Sequence, residues 1–215
     1  MLPLAFGVLD EPATVLCIGA HCDDIEIGCG GALVRLAREH PSARFVWAVF
    51  AGEPRRERES RGAAASLVGE GRLEFRQFGF RESYFPSQSD RVKDAFESLK
   101  SSVSPALIFT HRLEDRHQDH RTLAELCWNT FRSHLILEYE IPKYEGDLGQ
   151  PNFFVPLAES DLDHKVATLM RSFPSQHARA WFTPETFRAL ARIRGIECAA
   201  DSGYAEAFHA RKICV

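Results

Sequence analysis

The stretch Thr14 to Gly31, TVLCIGAHCDDIEIGCGG, constrains this chain more than any other. Thr14 to Ala20 is a short apolar run with β-branched residues, the composition of a buried strand. His21, Asp23, Asp24 and Glu26 follow at once, and Gly28, Gly30 and Gly31 lead into ALVRLAREH, whose apolar residues have helical spacing. Strand, acidic tip, glycine turn and helix make the start of an α/β unit. In open α/β sheets ligands collect beyond the carboxyl ends of the strands, and His21 to Glu26 is expected there. Adjacent carboxylates repel each other, the more so when desolvated, so a buried tip of this kind needs a cation, a shared proton or water. Zinc accepts imidazole nitrogen and carboxylate oxygen and keeps one position open where it is catalytic. His21 and Asp24 can ligate while Asp23 points at the open position. The alternative is a solvated loop with an aspartate as helix N-cap.

A second cluster favours the metal. Ala106 to Thr110, ALIFT, is another short apolar strand, and it runs directly into HRLEDRHQDH, His111 to His120. Histidine is the commonest metal ligand and the natural acid or base near neutral pH. Two ionisable tips on two parallel strands are expected to face one crevice.

These two stretches resemble a known family. HCDDIEIGCGG is similar to the HPDD-x-E-x-G-C-G-G signature of the LmbE-like (PIG-L) zinc-dependent N-acetylglucosaminyl deacetylases, and THRLEDRHQDH to that family's T-H-x-x-x-D-x-H-x-D-H motif. Weaker matches are Arg56-x-x-Glu59, Ser175-Gln176 and YAEAF at Tyr204 to Phe208. The resemblance implies one Rossmann-like three-layer α/β domain over residues 1–215, with a mostly parallel sheet and the active site at the carboxyl ends of its strands. It implies His21, Asp24 and His120 as ligands of one zinc or other divalent ion. It makes Asp23 the general base and a protonated His117, oriented and charged by Asp119, the donor to the developing oxyanion. Arg56, His111 and Asp115 fall on the substrate side, the last two open between substrate contact and support of the ligands. Glu26 is expected to cap the following helix or support the site. The implied substrate is a small N-acetyl amino sugar or its conjugate. Two departures stand out. Cys22 occupies the signature's proline position, where it is a further possible ligand to a site already complete without it. Phe173 stands where relatives often have histidine, implying either a different substrate edge or a packing change.

Two other readings compete: a zinc amide hydrolase with another acyl group or a non-sugar substrate, and a Rossmann-like nucleotide- or sugar-binding module using Gly28 to Gly31. The G-x-G-G spacing is not G-x-G-x-x-G, and acidic residues crowd the supposed anion site, which counts against the module.

Composition bounds the rest. With 215 residues, 45% of them hydrophobic, the chain suits one α/β core. A net charge of −4 and no basic stripe argue against nucleic acid. Leu2 to Leu9 is apolar but too short to span a membrane and lacks a signal peptide's basic flank. The six cysteines form no C-x-x-C pair, which fits a reducing, cytoplasmic setting. Oligomeric state is not legible.

In chain order, Met1 to Pro12 is expected as an extended entry. The first helix is expected from Gly31 to Glu39 and strands over Arg44 to Phe50 and Leu73 to Phe78. Ala51 to Arg58 reads as a loop before an alanine-rich helix, its arginines a solvated helix start, with Arg56 otherwise paired to Glu59 or another acid. Ser89 or Asp90 is expected to cap a helix through Val103. Leu135 to Ile141 and Asn152 to Leu157 read as strands, and Pro142 to Pro151 between them as a lid-like loop with Tyr144. Ser160-x-x-Asp163 reads as a capping box. Thr183-Pro184 opens a helix that Gly195 ends, and Phe208 to Val215 reads as a last strand. His40, His134, His164, His177 and His209 have no partner motif, and surface or structural roles are expected of them.

Overall fold

The computed structural model describes residues 13–213, so the expected entry segment at Met1 to Pro12 and the last two residues of the chain lie outside the described residues. Five parallel strands come first: β1 (Thr14–Gly19), β2 (Arg44–Ala51), β3 (Leu73–Phe80), β4 (Leu107–His111) and β5 (Leu135–Tyr139). With β6 (Phe153–Pro156) and β7 (Ala205–Ala210) they form one seven-stranded sheet in the order β3-β2-β1-β4-β5-β7-β6, β7 running antiparallel to both neighbours.

The strands read as continuous apolar runs because both sheet faces are covered. Side chains alternate along a strand, and the residues of β1 divide accordingly. Val15 and Cys17 enter a core shared with α1 (Asp24–Glu39), α2 (Pro54–Val68), α5 (Glu159–Ser172) and α6 (Pro184–Glu197), whereas Leu16 and Ile18 enter one shared with α3 (Ser89–Ser102) and α4 (Gln118–Thr130). β1 pairs with β2 on one side and β4 on the other, so the chain order reverses between β1 and β4. That reversal opens the crevice where α/β proteins bind ligands, and both ionisable clusters follow the two strands that border it.

The first helix begins at Asp24, not Gly31, so the acidic residues and the glycines lie inside it. Glycine is a poor helix former, but close approach overrides propensity here. A Cβ on Gly28 would lie 2.2 Å from the Tyr139 ring, and one on Gly31 would lie 2.6 Å from Leu157. Through this gap a buried ion pair reaches the helix backbone. Lys165 Nζ donates to Glu206 Oε1 and to the Ile27 carbonyl, both at 2.6 Å. Glu206 in turn accepts from the N–H groups of Gly31 (2.9 Å) and Ala32 (2.6 Å). Ile27 C=O and Gly31 N–H are an i, i+4 pair of the helix backbone, so both charges reach the same turn. Both charges are bonded at each end, the condition under which a buried pair is tolerated.

Other boundaries move for local reasons. α2 starts at Pro54, because proline suits a first helical turn, so Ala51 to Arg58 is mostly helix. α5 starts at Glu159 after Ala158 without a side-chain cap, so Ser160 is no capping residue, and α3 also begins uncapped. Thr183 does cap α6, accepting from Thr186 N–H, but α6 runs past Gly195 to Glu197. Gly195 is needed for contact, since a Cβ there would lie 2.2 Å from the Gly203 carbonyl oxygen. The last strand is Ala205–Ala210. No helix among the described residues is long and apolar enough to cross a membrane.

Candidate metal centre

His21 leaves the end of β1, Asp24 opens α1, and His120 sits in the first turn of α4 beyond β4. The folding of these three termini onto the reversal point brings three atoms together. His21 Nδ1 lies 3.3 Å from Asp24 Oδ2 and 3.3 Å from His120 Nε2, and His120 Nε2 lies 3.5 Å from Asp24 Oδ2. Tetrahedral ligands at about 2.0–2.1 Å from a zinc ion stand roughly 3.3–3.4 Å apart. The donor set and its spacing therefore fit such an ion.

Each imidazole is aimed by a carboxylate on its other nitrogen. His21 Nε2 is 3.3 Å from Asp119 Oδ2, and His120 Nδ1 is 3.0 Å from Asp115 Oδ2. A carboxylate on the far nitrogen fixes the tautomer and the ring plane of a metal-binding histidine. This corrects the role expected of Asp119. Its carboxylate serves His21 and accepts the Ser83 and Phe85 N–H groups, whereas only its backbone N–H reaches His117, at Nδ1 (3.3 Å). Asp115, left open between substrate contact and support of the ligands, lies behind His120 and accepts the His117 N–H at 2.8 Å. His111 is fully buried. Its Nε2 accepts the Ala20 N–H at 2.9 Å, and its ring stacks on His120 with centroids 3.9 Å apart. A second trio, Asp24, His111 and His120, also converges, but that N–H already engages the His111 Nε2 lone pair.

His117 caps α4, and one of its ring nitrogens lies within 4.8 Å of nitrogens on His21 and His120. Because its Nδ1 accepts the Asp119 N–H, its proton sits on Nε2. Burial and the neighbouring His21 push His117 down from its ordinary value. Asp23 is buried beside the centre and accepts from Arg56 Nη2 at 3.0 Å. Arg56 also reaches Glu82 at 3.5 Å, so its partners are Asp23 and Glu82, not Glu59. Glu59 instead accepts from Ser175 Oγ, which joins the two weak motifs across α2 and α5's far end.

The electrostatics call for a cation. Burial opposes ionisation of Asp24, yet His120, His21 and His111 hold its carboxyl well below the usual carboxylate range. Burial likewise opposes charge on His21, but Asp24 and Asp119 outweigh it and push the imidazole up to about 10. A proton on His21 thus offsets the charge of the buried Asp24 and Asp119 carboxylates.

Glu26 lies below the centre, fully buried, where it accepts from Ser60 Oγ at 2.8 Å. Burial pushes it from 4.5 up to about 8. The native chain therefore keeps a proton that the unfolded chain releases, and stability falls as pH rises through that window. Glu26→Gln should flatten this slope. Thermal unfolding of the metal-stripped protein at several pH values between 5 and 8 tests it, and equal slopes for both proteins would place the proton elsewhere.

Cys22 turns away from the centre, its Sγ donating to the Ala51 carbonyl at 3.4 Å, so it is not a ligand. Phe173 is fully buried against Phe182, a packing change rather than a substrate edge. Tyr139 and Lys143, which brace the site from behind, belong to no motif in the sequence, and only the fold reveals them.

Residues 16–131 match the family described as PIG-L, GlcNAc-PI de-N-acetylase. An Escherichia coli K12 protein described as the uncharacterized deacetylase YaiS is 30% identical over 171 residues, covering 73% of this chain and 89% of its own. Among solved structures, the conserved protein TT1542 of Thermus thermophilus superposes with a TM-score of 0.73 at 23% identity, covering 94% of this chain and 96% of its own. The N,N'-diacetylchitobiose deacetylase of Pyrococcus horikoshii gives 0.69 at 19% identity, covering 95% and 89%. The chain, with both signature stretches folded onto one centre, is a member of the PIG-L de-N-acetylase family.

Proposed function

We propose that the protein is a zinc-dependent hydrolase that removes the N-acetyl group from an N-acetylglucosamine-type amino sugar or its conjugate. The observation that carries this reading is the triangle of His21 Nδ1, Asp24 Oδ2 and His120 Nε2, with Asp23 beside it. When bound, a divalent ion there lowers the pKa of water and polarises an acyl oxygen. Asp23 then takes the proton from the attacking water. Burial pushes Asp23 up to about 6 while Arg56 opposes that rise, which leaves a carboxylate basic enough to accept a proton near neutral pH. His117, with a proton on Nε2, donates a hydrogen bond to the acyl oxygen as charge develops on it. Asp23 returns its proton to the leaving amine, so water and amide become acetate and amine. Arg56 serves first as the partner of Asp23, and its remaining donors are available to sugar hydroxyls.

A panel of N-acetylhexosamine conjugates and simple N-acyl amides, followed by mass spectrometry, tests the reading. Acetate and free amine should appear from an amino sugar, stop with a chelator and return with zinc. Turnover of the non-sugar amides alone would move the substrate to the other class, and turnover untouched by metal removal would end the zinc reading.

A further inference from the structure

The carboxylate that aims His120 does not stand alone. Asp115 Oδ2, the oxygen that meets His120 Nδ1, also accepts from Lys143 Nζ at 3.0 Å. The same ammonium donates to both carboxylate oxygens of Asp147, at 2.6 and 2.8 Å. All three side chains are buried, with 4–9% of each exposed. Asp147 is bonded in turn to the loop after β4: its Oδ2 accepts the Arg116 N–H at 2.7 Å and its carbonyl accepts Arg112 Nη1 at 2.8 Å. The nearby arginines do not share the work, for Arg121 spends its Nη1 on the Asp115 and Arg116 carbonyls. Among the described residues, Lys143 is therefore the one side chain seen to bridge these two buried carboxylates.

We propose that Lys143 is a positioning residue for the metal centre, holding the Asp115 carboxylate on His120 and tying the loop of residues 142–150 to that ligand. The inference rests on the metal reading above. Its physical basis is geometric. A carboxylate that must present one oxygen to an imidazole N–H is fixed in rotation by a second donor on that oxygen, and the ammonium supplies it. Two buried carboxylates without a shared cation repel, so the loop docks only while Lys143 lies between them. The loop carries Tyr144, 71% exposed, and Leu148, 45% exposed, and Leu148 lines one cleft with Asp115 and Lys143. Docking of this surface and aim of His120 thus depend on one bond set. Such coupling is reciprocal: an ion that fixes His120 should hold the loop, and the docked loop should tighten the ion.

The experiment measures zinc affinity of the intact chain by competition with a chromophoric chelator. Lys143→Met alone strands two buried charges, so the working variant is Lys143→Met/Asp147→Asn, which removes the bridge without leaving a stray cation site. Its zinc Kd should rise about 10–100-fold, the usual effect of losing a partner behind a ligand. Lys143→Arg, which keeps the charge, should recover most of the loss, and the cobalt-substituted double variant should show an altered visible spectrum. A second measurement needs no variant: amide exchange of residues 142–150 in the wild-type chain should slow when zinc is added. Wild-type affinity and spectrum in the double variant, or loop exchange indifferent to zinc, would overturn the proposal while leaving the metal reading intact. A wild-type chain that takes up no zinc overturns the metal reading itself, and this proposal with it.

Discussion

Asp23→Asn should keep its zinc and lose about 10²–10⁴-fold in kcat, the usual contribution of a positioned general base. The amide matches the carboxylate in shape but cannot accept the proton of water. The proposed ligands Asp24, His21 and His120 make their contacts without Asp23, so metal content should not change. The one structural side effect is on Arg56, whose ion pair with Asp23 weakens to a neutral hydrogen bond. Arg56 keeps Glu82 as a partner and should stay in place. Metal analysis and steady-state kinetics on the same preparation decide the point. Near-normal turnover at full zinc occupancy would remove Asp23 from the reaction.

His120→Ala and Asp24→Asn should fail one step earlier, at metal binding. Each removes one corner of the three-atom triangle, which costs more than the roughly 10–100-fold loss seen when only a partner behind a ligand goes. Activity should vanish with the metal and return only in part at high zinc. The two variants differ in a useful way. Asp24→Asn also removes the negative charge that raises His21, so its His21 should titrate at lower pH in the metal-stripped protein. Imidazole chemical shifts followed by NMR report that directly. Stoichiometric, tightly held zinc in either variant would reject that residue as a ligand.

The fold and the centre were legible to different depths. β1, β2 and β4 could be read because strands covered on both faces are unbroken apolar runs, and the ligand-bearing tips followed them in plain order. The start of α1 could not, because glycines report local flexibility and not the Tyr139 ring that fills the space their missing Cβ atoms leave. Likewise the motif could name Asp115 and Asp119 but not their partners. Which imidazole each carboxylate aims depends on ring positions that two loops fix together, and Asp119 spans from α4 back to the end of β1. Lys143 stands in a stretch with the composition of a mobile loop. Its function comes from what lies across from it, and spacing along the chain carries no trace of that.

The ion pair at the glycine-rich helix has a consequence for how the chain is made. During synthesis the strand and helix that carry His21 and Asp24 emerge before Lys165 and Glu206, which bond the Ile27 C=O and the Gly31 N–H. At about 5–20 residues per second, roughly ten to thirty-five seconds pass between translation of Gly31 and of Glu206. Through that interval the earliest segment of the centre has His21 and Asp24 but not its brace. A nascent fragment ending at residue 131 would hold every proposed ligand and neither half of the pair that seats the helix beneath them.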